Sequence, residues 1–179
     1  MVSYRIVINL KIIPSYYCYI WIKIIEAMLS NASQYAIRSI LFLAMHSNES
    51  QKIGVKKISE ELETPQPFLA KLLQQLAKSG LVSSIKGPNG GFYVTKKDKD
   101  NSIWDIIMCI DGPSKFDSCF MGLSSCNDET PCPVHFTVAP FKVKLLQDFK
   151  EKTIEKFADE IIQKGRVISL KDLDVLEDK

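Results

Sequence analysis

Three of the five cysteines, Cys119, Cys126 and Cys132, fall within fourteen residues, and His135 stands three positions beyond the last of them. The spacing Cys119-x6-Cys126-x5-Cys132-x2-His135 lies in a stretch rich in Gly, Ser, Asn, Asp and Pro. A flexible loop can wrap several thiolates around one soft metal centre, which a helix or strand at this spacing could not. Three chemistries compete for such a set. A Cys3His zinc site matches the donor types, but zinc sites favour cysteine pairs about two to four residues apart, and none is present. Disulfides need an oxidising compartment, and three cysteines leave one without a partner. An iron–sulfur cluster, 2Fe–2S or 4Fe–4S, fits the thiolate-rich set best. Of the remaining cysteines, Cys109 sits among Trp104, Ile106, Ile107 and Ile110 as a small core residue, and Cys18 lies far upstream.

A second group of residues points to a polyanion. Lys86-Gly87-Pro88-Asn89-Gly90-Gly91 separates two β-compatible runs at 82–85 and 92–95. Asn-Gly is a hairpin signal because both residues tolerate positive φ. The small basic tip could approach phosphates or enter a minor groove; an ordinary edge hairpin is the alternative. It is not a nucleotide-binding loop, since it lacks the Gly-Lys-Ser/Thr ending and a following helix. Residues 54–97 carry seven Lys against three Glu, whereas residues 101–179 carry ten basic against fourteen acidic side chains. That division favours a polyanionic partner for the first block only. With two histidines, His46 and His135, and no paired catalytic constellation, the chain does not read as an enzyme.

The elements that must position these groups follow from periodicity and capping. A chain of 179 residues, 46% hydrophobic and 25% charged, suits one domain with appendages. Ser30 or Asn31 caps a first helix, in which Ala36, Ile37, Ile40, Leu41, Leu43 and Ala44 recur at helical spacing. A short helix over 55–62 follows, with Val55, Ile58 and Leu62 on one side. Thr64 is the expected cap of a helix over 64–79, with Pro65 and Pro67 in its first turn and Gly80 stopping it. Phe68, Leu69, Leu72, Leu73 and Leu76 form its expected buried stripe. Two short helices joined by a tight turn suit a helix-turn-helix or a plain helical hairpin. The hairpin directly behind them decides for a winged helix-turn-helix over 28–100 that binds duplex DNA.

A linker helix at 103–110 and the cysteine loop complete a segment over 101–136. Val138 then opens one long amphipathic helix within a 137–165 segment, apolar through Phe141, Leu145, Phe149, Ile154, Phe157, Ala158, Ile161 and Ile162. A domain this small cannot cover so long a face. A partner helix in a homodimer is expected to do so, with packing inside one chain as the alternative. The tail over 166–179 is acidic and carries no assigned role. The fold class is therefore mainly α with a small β-hairpin: a winged helix-turn-helix plus a long dimerisation helix.

Residues 1–27 are of another character, rich in Ile and Tyr without a helical period. Their longest charge-free apolar run, 12–22, contains Pro14 and falls short of the roughly 20 residues a membrane span needs. Lys11 and Pro14 also spoil a signal peptide. The expectation is a natural start at Met28, with a short hydrophobic anchor as the alternative, and a cytoplasmic protein without a membrane partner.

Four segments carry a family resemblance: Gln34-Tyr35-Ala36-Ile37-Arg38, Pro67-Phe68-Leu69 through Leu76, Ser79-Gly80-Leu81-Val82, and Lys86-Gly87-Pro88-Asn89-Gly90-Gly91-Phe92. They resemble the Rrf-type bacterial regulators, the family of IscR and NsrR, over nearly everything from Met28 to about Gln163. The resemblance implies a homodimeric winged-helix repressor or activator, often with an iron–sulfur cluster on three cysteines in this loop. It implies a fourth ligand at His135, as in the IscR-like branch. The NsrR-like branch uses a carboxylate just before the first-helix Tyr, where this chain has Gln34, an uncharged amide and a poor ligand for iron. It implies base-edge readers at Gln66, Ala70 and Lys71, and backbone or minor-groove contacts from Tyr35 and Lys86, with Gly87, Asn89 and Gly90 at the wing tip. Relatives with an acidic residue at the Ala70 position can discriminate DNA sequences according to cluster status; Ala70 has no polar group for that switch. The functional expectation is a DNA-binding regulator controlled by a cluster on Cys119, Cys126 and Cys132. Its alternative is a cluster-free or zinc-stabilised regulator that senses a metabolite or protein partner.

Overall fold

The computed structural model describes residues 29–113 and 116–165. The expectations for residues 1–27 and for the acidic tail at 166–179 lie outside the described residues. Helix α1 (Asn31–His46) starts where Ser30 accepts a hydrogen bond from the Ser33 amide at 3.1 Å. Its buried face runs from Ala36 to Ala44. Ser30 also ties this start to Asp111 at the far end of a later helix, through its amide (3.1 Å) and its hydroxyl.

Helices α2 (Val55–Glu61) and α3 (Gln66–Lys78) form the helix-turn-helix. Pro65, not Thr64, is the cap residue of α3. The Thr64 hydroxyl turns back to donate to the Leu62 carbonyl at 3.1 Å, so it closes the turn instead of capping the helix. Glu63 sits in that turn at φ 50°, a left-handed conformation that a side chain disfavours. Leu69, Leu72, Leu73 and Leu76 are buried as their spacing predicts. Phe68 is not: it is 38% exposed and meets Tyr35 edge-on, with ring centroids 5.8 Å apart. Its place in the stripe is lost because it lies at the margin of the buried face, in the first turn.

Strands β1 (Ser83–Ile85) and β2 (Gly91–Tyr93) pair antiparallel as the wing. Ile53, before α2, pairs with Phe92 through two 2.9 Å hydrogen bonds and fastens the wing to the helices. A Cβ on Gly91 would lie 2.8 Å from the Ile53 backbone, so only glycine fits there. The second strand ends before Thr95, which instead caps a short α4 (Lys96–Lys99) in a capping box with Asp98.

Helix α5 (Ile103–Ile110) buries Ile103, Ile106 and Ile107, and the loop leads to α6 (His135–Glu151). The expected single long helix is in fact two. It breaks after Glu151, and Thr153 caps α7 (Ile154–Lys164). The break is held by the Ile154 amide, which donates to the Asn101 carbonyl at 2.8 Å. Helix α7 then packs on α1, burying Ile154 and Ala158 within the same chain. Helix α6 buries none of its residues, and Phe136, Phe141 and Val143 are exposed. Among the described residues, no helix is long and apolar enough to cross a membrane.

Candidate metal centre and nucleic-acid interface

The cysteine loop is anchored at both ends. Phe116 is buried against Trp104 of α5, with ring centroids 5.4 Å apart. Lys142 of α6 donates to the Ser118 carbonyl at 3.0 Å. Between these anchors the loop brings Cys119, Cys126 and Cys132 together, with their sulfurs all within 4.8 Å of one another. They line a cleft of about 320 Å³ whose apolar wall includes Val138 and Leu146 of α6. Cys132 is buried; Cys119 and Cys126 are half-buried.

His135 opens α6 and stands beside this trio rather than within it, with its Nδ1 3.2 Å from Cys126 Sγ. Its other nitrogen, Nε2, lies 2.9 Å from a carboxylate oxygen of Asp128. The Cys132 amide donates to Cys126 Sγ at 3.4 Å. Hydrogen bonding from the Leu123 amide draws the Cys119 thiol down to about 7; burial opposes it, and the Met121 amide and the other two thiols assist. At Cys126 the Cys132 amide pulls the thiol down, but burial and the neighbouring Cys132 and Cys119 sulfurs outweigh it and push it up. One thiolate therefore forms readily while its neighbour resists a second negative charge. Three thiolates at this distance need a cation among them. Soft anionic sulfurs beside an imidazole suit iron–sulfur chemistry, and by donor type also zinc.

The spacing of the donors in sequence singled out the three cysteines, whose sulfurs converge, and His135, which meets Cys126 alone. It did not find Asp128 or Lys142, which carry no motif and matter only through their folded positions. Gln34, by contrast, donates to the Leu29 carbonyl at 3.3 Å. Cys109 is half-buried, as a small core-edge residue, with its Sγ 3.2 Å from the Ser79 hydroxyl.

The residues expected to read DNA lie on α1, on α3 and at the wing tip. Gln66 and Lys71 are exposed on α3, and Ala70 is half-buried beside them. Tyr35 is half-buried, with the Arg38 guanidinium 5.7 Å from its ring centre. Arg38, which the expected interface left out, also donates to the Leu62 carbonyl at 3.1 Å and so braces the helix-turn-helix. At the wing tip Lys86, Gly87 and Asn89 are exposed, and Gly90 is half-buried. The turn is closed by the Gly90 amide donating to the Gly87 carbonyl at 2.9 Å. Positive φ falls on Gly87 (117°), not on the Asn89-Gly90 pair that signalled the hairpin. The hairpin is there, but the local reason differs: a Cβ on Gly90 would run into the Ile85 carbonyl.

Residues 29–160 match the Rrf2 family, described as "Iron-dependent Transcriptional regulator". The chain belongs to the Rrf2 family. An HTH-type transcriptional regulator of Aquifex aeolicus is 34% identical over 128 residues, which is 70% of this chain and 88% of that one. IscR of Vibrio atlanticus is 30% identical over 107 residues, 60% of this chain and 61% of its own. Among solved structures, CymR (YrzC), the global cysteine regulator of B. subtilis, superposes with a TM-score of 0.59 at 23% identity, covering 73% of this chain and 95% of that one. T. potens IscR gives 0.58 at 21% identity, covering 78% and 91%. This Rrf2 protein thus has the mainly helical winged-helix fold, and its relatives are DNA-binding transcriptional regulators, not enzymes.

Proposed function

We propose that this Rrf2 protein is a cytoplasmic, homodimeric regulator whose affinity for double-stranded DNA is set by an iron–sulfur cluster on Cys119, Cys126, Cys132 and His135. The observation that carries the reading is the convergence of three sulfurs within 4.8 Å. When bound, such a cluster supplies a centre responsive to redox state, oxidants and nitric oxide. The chain's own residues supply the coupling. Phe116 hands loop position to α5 through Trp104, and Lys142 hands it to α6. Helix α5 reaches the end of α3 directly: Gln75 Nε2 donates to the Cys109 carbonyl at 2.7 Å. A change in the loop therefore reaches both the reading helix and the exposed face of α6, which pairs with a second copy, and so alters the separation of two reading helices.

Gln66, Ala70 and Lys71 face base edges in this reading, while Tyr35, Lys86, Gly87, Asn89 and Gly90 contact backbone or minor groove. The test is anaerobic purification followed by iron, sulfide and visible-absorbance measurement, then DNA titration before and after cluster removal. Brown protein with stoichiometric iron and a changed DNA affinity is the expected result. Colourless protein holding zinc, with unchanged affinity, overturns the sensor reading in favour of a zinc-stabilised regulator. His135→Ala should lose cluster to a chelator faster than the unaltered protein, and equal loss would take His135 out of the ligand set.

A further inference from the structure

We infer that Asp128 is the positioning residue for His135, holding Nε2–H so that Nδ1 is the nitrogen offered to the metal centre. This rests on the cluster reading above and deepens it. The two imidazole nitrogens have opposite partners: Nδ1 lies 3.2 Å from Cys126 Sγ and Nε2 lies 2.9 Å from Asp128 Oδ1. A carboxylate only accepts, so the nitrogen that faces it carries the hydrogen. The lone pair then falls on the nitrogen beside the sulfurs. Metal-binding histidines commonly donate their second N–H to a carboxylate or carbonyl, which fixes both tautomer and ring orientation.

The loop's own hydrogen bonds place Asp128. Asn127 Oδ1 accepts from the Glu129 amide at 2.9 Å, the Thr130 amide at 2.8 Å and the Thr130 hydroxyl at 3.1 Å. That closed turn presents Asp128, the residue inside it, to the ring. Phe136 meets the ring edge-on, with centroids 5.1 Å apart. The His135 side chain is 16% exposed, whereas that of Asp128 is 89% exposed. Water therefore competes for the carboxylate, and the contribution of Asp128 is to direction more than to charge.

The test uses full-length protein carrying histidine isotopically labelled at Nδ1 alone, reconstituted anaerobically with iron and sulfide, reduced, and examined by pulsed electron paramagnetic resonance. In the unaltered protein the cluster should couple to the labelled nitrogen, and His135→Ala should abolish that coupling. Asp128→Ala should give a mixture of labelled and unlabelled couplings and lose cluster to a chelator about tenfold faster. Asp128→Asn, which can still accept from Nε2–H, should keep the labelled coupling, and Glu129→Gln, a change of charge alone, should behave as the unaltered protein. Coupling to the unlabelled nitrogen, no nitrogen coupling, or an Asp128→Ala protein identical to the parent each overturns the inference and leaves a cysteine-held cluster standing. A parent protein that takes up neither iron nor sulfide overturns the cluster reading itself, and the inference with it.

Discussion

Helix α3 buries four of its thirteen residues, whereas α6, with seventeen, buries none. The difference divides the chain into a half shaped by its own core and a half with few buried side chains. In the first half, Leu69, Leu73 and Leu76 of α3 pack with Ile40 and Leu43 of α1 and Ile58 of α2. The orientation of Gln66 and Lys71 follows from that packing. In the second half, the loop is kept in place by Phe116 and by the Lys142 hydrogen bond, while Phe136 and Val143 stand in the open. Regions with few buried apolar contacts are the ones that move at low free energy. Helix α7 belongs with the first half despite its place in the sequence, because Ile154 and Ala158 enter the same core.

Several measurements would sharpen or break this division. The largest effect is expected from Cys126→Ser, which should reduce bound iron and sulfide to background while leaving the thermal unfolding of the metal-free protein near that of its parent. A collapse of the metal-free fold would show that the loop is not separable from the core. Leu73→Ala should do the reverse. It should lower stability by about 3 kcal/mol in denaturant unfolding through the cavity it leaves, with cysteine alkylation in the loop unchanged under native conditions.

Within the cysteine loop, the thiols themselves should differ. In metal-free protein, Cys119 should be alkylated with a pH midpoint of about 7 and Cys126 only at more alkaline pH. The sign is that of a thiol whose anion is favoured in the fold, so reactivity falls as pH drops through that value. Equal rates at the two sites would remove the electrostatic asymmetry of the loop.

In the reading half, Lys86→Ala should weaken binding to all DNA sequences alike and reduce the salt dependence by about one phosphate contact. An unchanged slope would take Lys86 out of the interface. The smallest effect is expected at Glu63. Glu63→Gly should relieve the left-handed turn at φ 50° and stabilise the protein by up to about 1 kcal/mol in thermal unfolding. A loss of stability there would mean that the Glu63 side chain makes a contact worth more than the strain.

Much of the architecture was legible along the chain because it depends on near neighbours. The cap at Ser30, the leucine stripe of α3, the stop at Gly80 and the donor spacing from Cys119 to His135 each involve residues a few positions apart. Their physics, a hydrogen bond to an orphan amide or burial of one helical face, operates over that same range. The wing was legible too, although the turn that closes it puts the strained φ on Gly87 rather than on Asn89-Gly90. The apolar period from Phe141 to Ile162 was legible as amphipathic but not as two helices. Thr153 could have signalled a cap, yet what holds the break is a hydrogen bond from Ile154 to Asn101, far away in sequence.

The site divides in the same way. Which atoms could bind a soft metal was determined by the sequence, since thiolates and imidazole are properties of residue type. That the three sulfurs lie within 4.8 Å, that Asp128 faces His135, and that Gln75 links α3 to the helix before the loop were decided only by the tertiary structure. Those contacts join segments whose separation along the chain carries no periodic signal. They exist because packing of α5, α6 and α7 around one core brings the segments into reach, and that packing is a property of the whole chain and of no local stretch within it.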